Sequence, residues 1–364
     1  MTTSRKTPIL LTGATGYIGG AVLAHLLNHP NASNFEICTI VRNSAKASAL
    51  RSKFGVNVVE GTFQDLDKVE SLAEKSHVIF HLADADDESF MKAILAGMRK
   101  RHVTLGDLPV LIHTASSGTG VIVDDARGAF ASETIYNDND VTQMKSIPDT
   151  AFHRNVDLLV FNADTEGYIR GNIVAPSTVY GIAKNALVNA GVANDHSIQI
   201  PILVRASLAR GRAGVVGEGK AIWPDVHIDD LAGLYISIFN AIVNKPDTTG
   251  HGFEGFYFGE NGEHSWMSIS CAIGDAMVAL GYTSDASPSP FSTEELIKYF
   301  GSEAAGLYSG TNARCRADRG RALGWKPKYT TLDMLKSVRD EVEHYGELMK
   351  GGKLDFKFEP AAGK

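Results

Sequence analysis

"LLTGATGYIGG", residues 10–20, decides the fold. An apolar run leads into glycines at 13, 16 and 19, and a helical pattern opens at Tyr17. A dinucleotide mount needs this order of parts. One glycine permits the tight turn, one lets the backbone approach a pyrophosphate, and one lets helix and strand pack closely. The helix N-terminus then supplies amide donors and the positive end of a dipole. Gly13, Thr15, Gly16, Tyr17, Ile18 and Gly19 are the expected phosphate-binding positions.

Outward from this stretch, short apolar runs alternate with helical patterns. Strands are expected at "PILLTG", "FEICTIVR", "VNVVEG", "HVIFHLA" and "LPVLIHTAS", a sixth at "YIRGNIVAPSTVYG" and a seventh at "GFYFGEN". Helices are expected over Tyr17–Leu27, Ala45–Leu50, Leu66–Ala73 and Asp87–Arg101. Continuous apolar strands separated by helices predict a doubly wound parallel α/β sheet, the Rossmann arrangement. Residues 185–222 and those after about 263 are richer in helix, glycine and loops. A dinucleotide-binding domain over 1–184 and 223–262 is therefore expected, with a discontinuous, mainly helical substrate lobe over 185–222 and 263–350. Within that lobe "FSTEEL" carries a helix start, with Ser292 or Thr293 as cap and Glu295 behind it. The tail 351–364 is polar, carries adjacent glycines and is expected to be flexible.

Composition narrows the function. The formal charge of −7 is spread along the chain with no basic block, which argues against a nucleic-acid partner. Cys38, Cys271 and Cys315 are far apart and form no CxxC, so neither a disulfide framework nor a structural zinc is expected. No metal is expected at all. No uninterrupted apolar run approaches the roughly 20 residues of a membrane span. A reducing, cytoplasmic setting without a membrane partner follows as the expectation.

The residue ending the second strand selects the dinucleotide. An acid there binds the ribose 2′-hydroxyl and repels a 2′-phosphate. Here Arg42 holds the place, with Asn43 beside it and Lys46 one turn on. A guanidinium grips phosphate through two donors, so NADP(H) is the expected cofactor.

The TGxxGxxG start, "FQDL", "FHLAD", "HTASS", "APSTVYG", "WPDVHIDDLAGLY" and "LGWKP" together resemble the extended short-chain dehydrogenase/reductases. That superfamily includes NAD-dependent epimerase/dehydratases and dihydroflavonol-reductase-like proteins. The resemblance runs from about residue 8 to about residue 340, with its markers in order. It implies that Asp65 contacts adenine, that Leu82 and Ala83 lie along the cofactor, and that Pro176 and Ser177 border the nicotinamide. It also implies a second lobe closing over a small-molecule substrate, and a homodimer through the helices flanking the fifth and sixth strands.

Members of that superfamily use Ser, Tyr and Lys, the last two as YxxxK on one helix. The serine is expected at Ser116, in "HTASSGTG". YxxxK occurs only at Tyr180–Lys184, after the sixth strand and inside another marker. The helix where the motif belongs is "AFHRNVDLLVF", residues 151–161, with His153 and Asp157 in the tyrosine and lysine places. Histidine is a competent proton donor near neutral pH, and aspartate one turn on can orient it. The same spacing also describes a solvated polar stripe. Arg314 and Arg316 are candidates to reach a polar substrate group, and His227 is expected to be structural.

The expected function is thus an NADP(H)-binding enzyme acting on a small carbonyl- or hydroxyl-bearing metabolite. His153 and Asp157 would serve as acid/base with Ser116, in a reduction or in a non-redox isomerisation or cyclisation. A catalytically silent NADP(H)-sensing regulator and a nucleotide-sugar epimerase/dehydratase are the alternatives.

Overall fold

The computed structural model describes residues 6–115 and 118–353. Seven strands make the central sheet: β1 (Thr7–Thr12), β2 (Phe35–Val41), β3 (Asn57–Glu60), β4 (Val78–His81), β5 (Val110–Thr114), β6 (Arg170–Pro176) and β7 (Phe256–Gly259). Their order is β7-β6-β5-β4-β1-β2-β3, and each neighbouring pair is parallel. Residues of β4 and β5 are buried throughout, whereas β3 at the edge is half-buried to exposed. Continuous apolar runs thus mark the strands that helices cover on both faces, as expected. The chain steps outward from β1 to β3 and then crosses to β4 on the other side of β1. The crevice at the carboxyl ends of β1 and β4 is the point where strand order reverses, the ligand-binding position of such sheets.

Helices α1 (Tyr17–Leu27), α2 (Ser44–Phe54), α3 (Leu66–Lys75), α4 (Glu88–Leu105), α5 (Arg154–Thr165), α6 (Ile228–Asn244) and α7 (Thr331–Lys350) pack around this framework. The expected cap is present: Ser292 Oγ accepts from the Glu295 amide at 3.2 Å, and the Glu295 carboxylate accepts from the Ser292 amide at 2.9 Å. Among the described residues, no helix is long and apolar enough to cross a membrane.

Two expectations need correction. "YIRGNIVAPSTVYG" is not one strand. β6 stops at Pro176, which has no amide hydrogen to continue the ladder, and Thr178–Tyr180 joins a separate three-stranded sheet with Ile222–His227 and Glu263–Ser265. The helix expected from residue 151 begins only at Arg154. His153 sits at its N-cap in the left-handed region, with φ of 63°, after a turn in which the Ala151 amide donates to the Pro148 carbonyl at 2.9 Å.

Candidate cofactor and active site

The glycine-rich turn has the geometry its sequence predicts. Gly13 has φ of 75°, and a Cβ there would lie 2.5 Å from the Leu82 carbonyl oxygen. A Cβ on Gly19 would lie 2.1 Å from the Gly13 carbonyl, so α1 packs on the turn only because that side chain is absent. The Gly16 amide donates to the Gly13 carbonyl at 2.9 Å and opens α1 from a cap position without a side-chain acceptor. Thr12 Oγ1 accepts from the Leu82 and Ala83 amides at 3.1 and 3.3 Å, tying the ends of β1 and β4 together. Gly13, Leu82 and Ala83 therefore share one wall of the crevice. A cradle that any Cβ would fill, at a helix N-terminus with no acid in its first turn, fits a dinucleotide pyrophosphate.

A strap of chain crosses this mount. Tyr17 Oη donates to the Gly181 carbonyl at 2.5 Å, and the Asn194 amide donates to the Thr15 carbonyl at 3.2 Å. Ala193 lies against Gly20, where an added Cβ would come within 2.4 Å of its side chain. Tyr17 and Ile18 are half-buried beneath it. Just beyond the strap, His196 Nδ1 meets the buried Glu341 of α7 at 2.8 Å. Burial opposes a charged His196, but the Glu341 hydrogen bond and the Glu341 and Asp195 charges outweigh it and raise its pKa.

Arg42 is exposed directly after β2. Asn43 caps α2, its side chain accepting from the Lys46 amide at 2.9 Å. Asp65 closes the turn before α3. Its carboxylate accepts from the Thr62 amide at 2.7 Å and lies 3.6 Å from Lys68 Nζ, and the Thr62 amide is the main reason its pKa lies below the ordinary range. Sequence reasoning missed Glu60 at the end of β3, which holds Ser44 at 2.6 Å and Arg51 at 2.9 Å beside the start of α2.

At the other end of the crevice, Ser177 is buried, and its hydroxyl donates to the Gly259 carbonyl at 2.7 Å, joining the ends of β6 and β7. Pro176 ends β6, where a Cβ on Gly118 would collide with its carbonyl at 1.6 Å. Ser116 lies outside the described residues.

His153 and Asp157 do not pair. The imidazole Nδ1 of His153 pairs with the carboxylate of Asp86, on the loop that follows β4 and Ala83. Asp157, 1% exposed, lies 3.4 Å from His113 Nε2 and 3.6 Å from Arg154 Nη1. The i, i+4 geometry requires both residues inside the helix. His153 is at the cap in a left-handed conformation, so its side chain leaves the helical register.

This places a buried polar string under the strand ends. His81 and His113 are register partners on β4 and β5, with their Nδ1 atoms 2.9 Å apart. One must donate and the other accept. Burial, then the neighbouring His113, pushes the His81 pKa well below its ordinary value. Burial likewise lowers the pKa of Arg154, against the opposing charge of Asp157. The string ends at the Met144 carbonyl, which accepts from Arg154 Nη2 at 3.1 Å. Its signal in the sequence was the shared phrasing of "FHLA" and "IHTA" on adjacent strands.

Tyr180 is buried and donates to the Thr330 carbonyl at 2.9 Å, so the YxxxK text belongs to packing. His227 caps α6 through the Asp229 amide at 3.2 Å and stacks on Tyr329. Arg314 forks onto Glu263 at 3.0 and 2.9 Å, and Arg316 reaches the same carboxylate at 3.1 Å. The single carboxylate of Glu263 is shared by both guanidiniums and compensates one of their two charges.

Comparison with known proteins bears on this geometry. A family described as NAD(P)H-binding matches residues 13–108. The oxidase ucsJ of an Acremonium species is 30% identical over 354 residues, covering 93% of this chain and 98% of its own. UDP-glucose 4-epimerase of Thermotoga maritima, solved with UDP-glucose, superposes with a TM-score of 0.61 at 13% identity, over 94% of this chain and 100% of that one. The dTDP-glucose 4,6-dehydratase of Bacillus anthracis, solved with NAD, gives 0.59 at 15% identity, over 94% and 98%. These two structures share the fold.

Proposed function

The chain belongs to the extended short-chain dehydrogenase/reductase superfamily, and from that premise we propose that it is an NADP(H)-dependent oxidoreductase of a small carbonyl- or hydroxyl-bearing metabolite. His153 is its acid/base, and Asp86, not Asp157, is the partner that orients it. The observation carrying this reading is the pairing of His153 with Asp86, on the loop that follows Leu82 and Ala83, whose amides Thr12 holds at the glycine-rich turn. The segments 1–184 and 223–262 hold the dinucleotide, and 185–222 with 263–350 enclose the substrate.

The nicotinamide, when bound, supplies or accepts the hydride. In reduction, the carbonyl carbon gains that hydride and His153 gives a proton to the carbonyl oxygen; in oxidation both move back. Asp86 fixes the ring so that Nδ1 carries the proton facing the carboxylate, and the transfer is assigned to Nε2. Asp157 is a positioning residue. Through His113 it holds the end of β5, beside the segment where the expected Ser116 lies. Arg42 favours NADP(H) by gripping a 2′-phosphate.

The nucleotide-sugar alternative finds less support. A diphosphate calls for cations; Arg321 is matched to Glu260 and Arg212 to Asp285, and Glu263 compensates one of the two charges of Arg314 and Arg316. The test is a pH–rate profile with NADPH and an aldehyde panel for wild type, His153→Ala and Asp86→Asn. Loss of a general acid lowers kcat by roughly 10²–10⁴-fold, with cofactor affinity little changed. Asp86→Asn, which removes the carboxylate that orients the ring, lowers kcat by less than His153→Ala does. Full activity in His153→Ala refutes the assignment.

A further inference from the structure

Beside His153 the surface turns aromatic. Phe152 is 52% exposed, although its neighbours in sequence are half-buried or buried. Its ring packs on His153, with centroids 3.5 Å apart, and faces Tyr308 at 6.0 Å. Behind Tyr308 stand Trp223 at 5.1 Å and, beyond it, Trp266, both about 1% exposed. An outward-facing ring therefore continues a row that runs into the core. Single exposed apolar residues are ordinary on protein surfaces. A ring held outward at the cap of a helix, next to the acid/base and in line with three further aromatics, is not a scattered residue.

The backbone holds this arrangement in place. The left-handed conformation of His153, uncommon for a residue with a Cβ, separates Phe152 from the helical face that would bury it. Past Tyr308 in the chain, Asn312 donates to Asp124 at 2.9 Å and to the Phe130 carbonyl at 3.2 Å. Asn312 also accepts from the Ile222 amide at 2.7 Å. Phe130 is a second ring, 51% exposed. The nearby cation is also spoken for, since Arg127 is paired with Asp125. Apolar walls with few polar groups are the usual makeup of small-molecule sites.

We infer that Phe152 and Tyr308 form a subsite for a planar, uncharged ring, so that the substrate is an aromatic or conjugated cyclic carbonyl compound, or the corresponding alcohol. The ring stacks on Phe152, and its carbonyl oxygen reaches His153. This rests on the assignment of His153 above.

The experiment uses the full chain with NADPH. The kcat/KM for 2-naphthaldehyde is compared with that for butanal in wild type, Phe152→Ala, Phe152→Leu, Phe152→Tyr and Tyr308→Leu. Binding of the non-reducible 2-naphthol is measured in parallel by calorimetry. The naphthyl-to-butyl selectivity ratio should fall about ten-fold in Phe152→Ala and Phe152→Leu, the scale of one lost aromatic contact, and be kept in Phe152→Tyr. Affinity for 2-naphthol should follow the same order. If the ratio and the 2-naphthol affinity are the same in all variants while aldehydes turn over, the subsite is refuted and the oxidoreductase assignment stands. If no aldehyde turns over but 2-naphthol binding depends on Phe152, the subsite stands and the assignment falls.

Discussion

Replacing Asp157 with alanine leaves Arg154 without its compensating charge inside the protein. Both side chains are 1% exposed, and Arg154 keeps one hydrogen bond, from Nη2 to the Met144 carbonyl. Removing one partner of a buried ion pair typically costs about 3–5 kcal/mol, because the remaining charge stays desolvated. With roughly 2–4 °C per kcal/mol for larger domains, the unfolding midpoint should drop by roughly 6–20 °C. Asp157→Asn should cost nearly as much, since it keeps the volume and loses the charge. The double variant Arg154→Met/Asp157→Leu should recover most of the loss, because a matched apolar pair removes both charges together. Differential scanning calorimetry of the four proteins measures this. Had Asp157 been the partner of His153, its removal would depress turnover well below the melting temperature and leave the midpoint in place. A midpoint for Asp157→Ala within about 1 °C of wild type refutes the argument.

Two further outcomes follow from the cofactor mount. NADPH should bind roughly ten- to a hundred-fold tighter than NADH if Arg42 makes a charge-assisted phosphate contact, and Arg42→Ala should remove most of that difference in fluorescence titrations. Stabilisation by the His196–Glu341 contact has a defined pH sign. Because the folded pKa of His196 is raised, the contribution is complete below its unfolded value of about 6.5 and is lost as pH rises through the folded value. Melting temperatures of wild type and His196→Gln should therefore differ most near pH 6 and converge in alkali. A constant gap would show that charge is not involved.

The sheet was legible because each central strand is an uninterrupted apolar run, and the glycine turn because its chemistry is written in consecutive residues. Errors arose where the deciding partner is distant in sequence. Nothing in "AFHRNVDLLVF" announces that His153 adopts a left-handed cap, so helical spacing paired it with Asp157. Its actual partner, Asp86, lies 67 residues away. Arg314 and Arg316 looked available because Glu263, about 50 residues upstream, cannot be matched to them before the fold is known. His81 and His113 become a pair only once β4 and β5 are in register.

The small strand pairings outside the central sheet impose an order on folding. β1 to β5 are complete by Thr114, and the contacts that unite them are available early in synthesis. Tyr136–Asn137, by contrast, pairs with Cys315–Arg316, and Gly214–Val215 with Ser289–Pro290. The loop after β5 must therefore wait for nearly the whole chain to leave the ribosome before its edge is covered. Closing so long a loop is slow compared with local pairing, and unpaired edges in the interval favour association between chains. Truncation near residue 300 would leave both the loop edge and Arg314's carboxylate partner unsatisfied, while the seven strands of the central sheet, the last of which ends at Gly259, retain all their neighbours.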